Sequence, residues 1–157
     1  MNENLVRLKR VLLAFSFYDH SVGYMQGMNY IMASIMYHCN EEVSFWLFIQ
    51  LLQLNEYGVR SIYQPPNMPG LHQQVKIIER IIEIQLPKLN NHMVNVLCLT
   101  THHIYLNDWV ICLFTSIMPI DMNMTFLIQF FKDGWMHFYK MCIAILKVLQ
   151  PYILGSD

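Results

Sequence analysis

The chain has 157 residues, a length that fits one domain and is sufficient to bury a sizeable core. Only 13% of the residues are charged and 55% are hydrophobic, whereas ordinary soluble domains are about 25% charged. The net charge of −1 argues against a nucleic-acid partner, because phosphate binding needs clustered lysines and arginines. So apolar a composition indicates a membrane protein, a chain with an obligate partner, or part of a larger domain whose remainder covers apolar faces.

The membrane explanation fails because no run of about 18 consecutive apolar residues occurs. The first residues also lack the basic and apolar regions of a secretory signal. The four cysteines are isolated, without a Cys-x-x-Cys pair, so we interpret them as buried thiols of a reduced, intracellular protein. The histidines do not form a ligand set with zinc spacing, and we expect no metal site.

Apolar residues recur with helical periodicity along the chain, and no strand-like alternation is present. The predicted helix over residues 41–54 is apolar nearly all round and is therefore predicted to be buried. Asp108 is predicted to cap the helix that starts at residue 109. We predict an all-α fold, a multi-helix array of about eight helices in one domain over residues 1–157. The predicted helices span residues 4–17, 27–37, 41–54, 71–85, 88–97, 109–118, 124–132 and 135–149, with a loop at 55–69 and irregular structure at 98–107.

A polar stretch with two glycines separates the first two predicted helices. Gly23 and Gly27 allow a tight turn or a close approach to another surface, because no Cβ intervenes. Between them stands Gln26, whose amide can both donate and accept hydrogen bonds. One interpretation is a helix-to-helix turn whose glutamine satisfies backbone groups. The other is a glutamine presented for function.

The same stretch resembles the central signature of the TBC domain, the GTPase-activating domain of proteins that act on Rab GTPases. The family pattern is approximately LLAYSxYNPxxGYxQGMN, and residues 12–29 read LLAFSFYDHSVGYMQGMN. The similarity continues nearly to residue 149 through the segments YQPPNMPGLHQQ at 63–74, PKLNNH at 87–92, WVICLF at 109–114, DGW at 133–135 and AILK at 144–147. The chain departs from the pattern at Asp19-His20, where Asn-Pro is usual, at Val110, where an aromatic residue is usual, and at Ile128, where Asp is common.

The resemblance implies that Gln26 is a glutamine finger, which is inserted in trans to orient the water that attacks GTP. It further implies that GTP and Mg²⁺ are carried by the partner GTPase, so the chain itself needs no cofactor and has no nucleotide site. Residues expected to shape the turn, to start the following helix and to contact the GTPase are Gly23, Tyr24, Gly27, Met28 and Asn29. A Rab partner implies a role in vesicle trafficking, in the cytoplasm or peripherally at endomembranes.

The second catalytic element of the family, an arginine finger in an I-x-x-D-x-x-R motif, does not occur in the 157 residues. Arg7 and Arg10 are poor substitutes, because both belong to the helix that the resemblance already accounts for, where solvated charges are expected. We therefore expect a TBC domain that is incomplete at the N-terminus and short at the C-terminus. Such a chain would be a very poor activator by itself and prone to self-association through uncovered apolar faces.

Two alternatives to an activating domain remain open from the sequence. The first is a catalytically inactive TBC-like module that binds a small GTPase without hydrolysing its nucleotide. The second is a helical scaffold with no GTPase partner, which would require Gln26 to be buried and hydrogen-bonded inside the core.

Overall fold

The structure, a computed structural model, describes residues 3–53, 58–97 and 103–155. Within these ranges the chain forms eight α-helices and one short 3-10 turn, and no β-strand, which confirms the all-α prediction. The helices are α1 Glu3–Tyr18, α2 Met28–His38, α3 Glu41–Gln53, α4 Pro69–Gln85, α5 Pro87–Asn95, α6 His103–Cys112, α7 Ile120–Asp133 and α8 Trp135–Leu154, and the 3-10 turn is Val59–Ile62. The predictions made for Leu54, Cys98 and His102 lie outside the described residues.

One continuous hydrophobic core holds the helices together. Helices α1, α2 and α3 pack on one another, and α2 also contacts α6 and α7. Helix α4 contacts the 3-10 turn, α5, α6 and α8. Fully buried aromatic rings pack within each group: Phe15 of α1 meets Phe48 of α3 edge-on at 5.1 Å, and Phe114, which follows α6, stacks on Phe138 of α8 at 4.6 Å between ring centroids.

Helix α4 shows how the periodic pattern becomes packing. Its predicted inner stripe, formed by Leu71, Val75, Ile78 and Ile82, is buried along its whole length. Pro69 stands in the first turn, where its missing N–H and fixed φ suit a helix start. The polar faces predicted for this helix carry an exposed ion pair between Arg80 and Glu83. The sequence prediction for α4 is therefore confirmed, apart from the two residues added at its start.

The sixth helix was predicted wrongly. It occupies His103–Cys112, so residues 103–107 are helical and Asp108 lies inside the helix instead of capping it. The carboxylate of Asp108 accepts a hydrogen bond from Ser116 Oγ at 3.0 Å, beyond the end of the helix. The helix ends because Leu113 and Phe114 adopt left-handed backbone conformations, with φ of 46° and 62°. Left-handed residues with side chains are strained, and the burial of both side chains offsets that cost.

Two further expectations are corrected. Helix α3 is not buried all round, since Val43 and Trp46 are 44% and 49% exposed. Helix α8 does not end before Pro151 but continues to Leu154, because a proline so close to the C-terminus removes only one late hydrogen bond. The predicted loop over residues 55–69 contains the 3-10 turn Val59–Ile62.

Among the described cysteines, Cys112 and Cys142 are buried free thiols, as predicted, and Cys39 is half-buried. Burial raises the pKa of the Cys112 thiol to about 11, so that thiol stays protonated at neutral pH. No described helix combines the length and the apolar character needed to cross a membrane.

Candidate functional site: the loop between the first two helices

Residues 19–27 connect α1 to α2, and we call them the Gln26 loop. The loop begins with a tight turn, in which the amides of Val22 and Gly23 both donate to the carbonyl of Asp19, at 3.3 and 2.8 Å. Val22 is buried with 6% of its surface exposed, and this attaches the turn to the core. Gly23 has a φ of 66°, and a Cβ at this position would meet no other atom within 4 Å. The first glycine therefore serves the turn and not a close contact.

The second glycine, Gly27, fills a different requirement. It is buried, with a φ of 101°, and directly precedes the first residue of α2. A Cβ on Gly27 would lie 2.2 Å from Ile111 Cγ2, 3.3 Å from the carbonyl oxygen of Ile111 and 3.4 Å from Cys112 Sγ. The end of α6 thus packs directly on the backbone of the loop, and only glycine fits there.

Gln26 is exposed next to this anchored glycine. Its side chain makes no hydrogen bond to any residue that the structure describes. The backbone of the turn is satisfied by Asn29, whose Oδ1 accepts from the Gly27 amide at 3.2 Å and from the Tyr24 hydroxyl at 3.3 Å. The interpretation of Gln26 as a turn residue that satisfies backbone groups is therefore wrong, and so is the buried glutamine that a scaffold without a partner would require.

Of the other residues predicted for the site, Met28 packs in the core and Tyr24 is exposed. Met28 is fully buried, and its sulfur accepts from the Met25 amide at 3.3 Å, which closes the last turn of the loop. Tyr24 is 49% exposed and reaches over the loop to Asn29. Gly23, Tyr24, Gln26 and Gly27 therefore lie on the Gln26 loop, and Met28 and Asn29 lie in the first turn of α2. The Gln26 amide is exposed and makes no hydrogen bond within the described residues.

Sequence reasoning missed one ion pair at the start of the loop. Arg60, on the 3-10 turn, donates from Nε and Nη2 to the two carboxylate oxygens of Asp19, each at 2.9 Å. Ser21 Oγ also donates to Asp19 Oδ1 at 2.7 Å. The hydrogen bond from Arg60 lowers the pKa of Asp19 to about 2, so the carboxylate stays charged at all ordinary pH values. The one signal in the sequence for this contact is that Asp19 stands where the TBC pattern usually has Asn.

Arg7 and Arg10 are engaged elsewhere. Both donate to the carboxylate of Glu41 at the start of α3, Arg7 at 3.0 Å and Arg10 at 2.6 and 2.7 Å. The hydrogen bond from Arg10, reinforced by that from Arg7, lowers the pKa of Glu41 to about 2. Arg10 is largely exposed and Arg7 is partly exposed, so the expectation of solvated charges on the face of α1 holds, but both guanidinium groups also tie α1 to α3.

Comparison with protein families gives the class of protein to which this helical chain belongs. The Rab-GTPase-TBC domain family matches residues 2–154, and the chain therefore belongs to that family.

Individual relatives agree with that assignment. The chain is 30% identical to growth hormone-regulated TBC protein 1 of Rattus norvegicus over 96% of its own length and 50% of that protein. It is 26% identical to the Rab GTPase-activating protein tbc-11 and 29% identical to the Rab GTPase-activating protein eat-17, both of Caenorhabditis elegans. Each of these two matches covers 96% of the chain and 16% of the relative. The chain thus spans half, or less, of the length of these relatives.

Proposed function

We propose that this chain is a GTPase-activating domain for a Rab-type small GTPase, and that Gln26 is the group it supplies. The observation that carries the proposal is the state of Gln26, which is exposed and makes no hydrogen bond within the described residues, on a loop anchored at both ends. A side chain that the fold does not use for its own stability is available to a partner. Family membership, and relatives that are themselves named Rab GTPase-activating proteins, support this choice of partner.

The chemistry follows from the two functions of an amide. Hydrolysis of GTP by a small GTPase is slow because the attacking water is poorly oriented and the charge developing on the phosphate is poorly neutralised. The carbonyl oxygen of Gln26 can accept a hydrogen bond from that water while its NH₂ group donates to a phosphate oxygen. The partner GTPase would hold GTP and Mg²⁺. Tyr24 and Asn29 would form the contact surface around the amide, with Met28 as the buried base.

None of the arginines described so far is proposed as the charge-neutralising group. The I-x-x-D-x-x-R motif is absent from these 157 residues. Arg7 and Arg10 are bound to Glu41, and Arg60 is bound to Asp19. We propose that the arginine is supplied from outside these residues, and that this chain by itself therefore stimulates hydrolysis weakly. Full activation of a small GTPase is about 10⁵-fold in rate. An arginine finger contributes at least about 10³ of that factor, so at most about 100-fold remains for the glutamine.

Single-turnover GTP hydrolysis tests the proposal, with a panel of Rab proteins and a saturating concentration of this chain. We expect stimulation of up to about 100-fold with a responsive Rab, and its complete loss in Gln26→Ala. Gln73→Ala, which removes another exposed glutamine on α4, serves as the matched control and should keep full stimulation. Stimulation that survives in Gln26→Ala, or a chain that strongly activates by itself, would contradict the proposed mechanism.

A catalytically inactive binding module is the second candidate, favoured by the missing arginine motif. The two candidates differ in one measurement. An inactive module binds GTP-loaded Rab without accelerating hydrolysis, and its Gln26→Ala variant changes neither quantity. The activating domain loses its rate effect in the same variant while the affinity for GTP-loaded Rab changes little.

Two further properties follow as proposals. A Rab partner would place the chain in the cytoplasm or at the surface of endomembranes, where it would act in vesicle trafficking. Exposed apolar side chains such as Phe17, Val148 and Tyr152, which are 65%, 69% and 75% exposed, support self-association of the isolated chain. Sedimentation at increasing concentration measures this, and a monomer at every concentration would contradict it.

A further inference from the structure

The 3-10 turn and the tyrosine that follows it form a rigid support beside the Gln26 loop. Val59, Ile62 and Tyr63 each have no exposed surface. The turn is closed by backbone hydrogen bonds from Ser61 to Gly58 and from Tyr63 to Arg60, at 3.0 and 3.1 Å. Two side chains of this support leave it in different directions: Arg60 towards the start of the loop, and Tyr63 towards the end of α6.

Arg60 holds the start of the loop by a two-point contact. Its guanidinium makes parallel bonds to both oxygens of Asp19, and Nη2 also contacts Ser21 Oγ at 2.5 Å. The Asp19 carbonyl accepts the amides of Val22 and Gly23. A bidentate arginine–carboxylate pair fixes orientation as well as distance. The contact therefore fixes the first turn of the loop relative to the 3-10 support.

Tyr63 acts on the other end of the loop through α6. Its hydroxyl donates to the carbonyl of Ile111 at 2.5 Å. In a continued helix that carbonyl would accept from the amide of Thr115, but Thr115 donates to Cys112 because the helix ends. The Tyr63 hydroxyl takes the place of the missing helical donor. Ile111 is also the residue on which Gly27 packs, so the bond fixes the surface beneath the last residue of the loop.

We propose that Arg60 and Tyr63 are positioning residues, which hold the two ends of the loop so that Gln26 is presented in one orientation. The catalytic part of this inference rests on the proposed function, whereas the ordering of the loop does not. Arg60 acts through the loop, because Asp19 holds both its Nε and its Nη2. Preorganisation of this kind is effective, since a misplacement of about 1 Å can cost about 100-fold in rate.

The ordering of the loop is tested without any GTPase, by amide hydrogen exchange on the free chain. Arg60→Ala should accelerate exchange of the amides of Val22 and Gly23 at least about tenfold and leave that of Gly27 little changed, because local opening governs exchange. Arg80→Ala is the matched control, since it also removes an arginine from an ion pair, but on the exposed face of α4. Unchanged exchange in the loop with Arg60→Ala would overturn the proposal, whether or not a responsive GTPase is found.

Tyr63→Phe tests the second support, because it removes only the hydroxyl and keeps the buried ring. We expect faster exchange at Gly27 and little change at Val22, since the two supports hold different ends of the loop. Acceleration spread evenly over the whole chain would instead show a general loss of stability. That outcome would overturn a positioning role for Tyr63.

With a responsive Rab, single-turnover rates at varied chain concentration distinguish a residue that positions Gln26 from a residue that contacts the Rab. Arg60→Ala should lower the maximal rate about tenfold and leave the half-saturating concentration within twofold, because misplacement of Gln26 affects chemistry more than binding. Arg60→Lys, which keeps the charge without the bidentate geometry, should fall between the native chain and Arg60→Ala.

Removing the carboxylate decides whether Arg60 itself reaches the nucleotide. Asp19→Ala frees the guanidinium, so an arginine that acted on phosphate would retain or increase the rate. If Arg60 is a positioning residue, Asp19→Ala and Arg60→Ala should lower the maximal rate by the same factor, and the double variant should lower it no further. A retained rate in Asp19→Ala would overturn the proposal.

Discussion

Replacing Gly27 by alanine should destabilise the chain far more than replacing Gly23, although both glycines have positive φ. Each substitution adds about 1–2 kcal/mol of backbone strain in the left-handed region. Only at Gly27 does the new methyl group also collide, since it would lie 2.2 Å from Ile111 Cγ2. Overpacking of this kind costs about 1–3 kcal/mol. We therefore expect Gly27→Ala to lower the free energy of unfolding by about 3 kcal/mol, about 2 kcal/mol more than Gly23→Ala.

Equilibrium urea denaturation measures both values, and Gly23→Ala is the internal control. Replacing glycine by alanine also reduces the conformational entropy of the unfolded chain. This effect is the same in both variants and cancels in the comparison. A difference of about 2 kcal/mol is large against the total stability of about 5–15 kcal/mol that domains usually have. The steric origin can be isolated with Ile111→Ala, which removes the colliding Cγ2 atom. In that background Gly27→Ala should cost about 1–2 kcal/mol less.

Equal losses from the two glycine variants would refute the reasoning, because the collision with Ile111 would then have no energetic consequence. An undiminished cost of Gly27→Ala in the Ile111→Ala background would refute it as well, and would assign the loss to backbone strain alone.

Two further predictions concern the stability of the fold. The pKa of Asp19 is lowered to about 2, so the stabilisation from its pair with Arg60 is complete above the unfolded-state pKa of about 3.9 and disappears as the pH falls towards 2. Urea denaturation between pH 6 and pH 2 should show a smaller loss of stability in Asp19→Asn than in the native chain, by at most about 1 kcal/mol because the pair is partly solvated. The Glu41 carboxylate, whose pKa is also lowered to about 2, contributes the same decline in both proteins. Parallel curves for the two proteins would contradict the assignment. Asn123 is buried and donates to Ser34 Oγ at 2.8 Å and to the Thr115 carbonyl at 3.2 Å. Asn123→Ala should cost about 1–3 kcal/mol, since it leaves that carbonyl unpaired, and an unchanged urea midpoint would show that the two bonds contribute nothing.

Helix type and order could be predicted from the sequence because the apolar period repeats over many residues, as in α4. The end of α6 could not, since Asp108 has the chemistry of a helix cap and its actual partner, Ser116, lies eight residues later. Leu113 and Phe114 carry no local signal for left-handed backbone. Their conformation is imposed by burial of the rings and side chains around them, which is a property of the assembled core.

The sequence could point to the residues of the candidate site but not to the contacts that hold them. The resemblance singled out Gln26 and its neighbours, and the structure places them on the Gln26 loop and in the first turn of α2. The contacts that fix the loop come from Arg60 and Tyr63, and Arg60 is 41 residues from its partner Asp19. Spacing within a motif carries no information about such distant pairs. Asn29, predicted only as motif support, proves to satisfy the turn.

The division of roles between Asn29 and Gln26 affects how variants of this chain can be screened. Since the Gly27 amide pairs with Asn29 and not with Gln26, we expect a chain that has lost Gln26 to keep its melting temperature. A selection for well-folded protein would then exert no pressure on position 26, and only a measurement on the GTPase would reveal the loss. Replacing Asn29 removes the acceptor of the Gly27 amide and of the Tyr24 hydroxyl, and should lower the stability by about 1 kcal/mol.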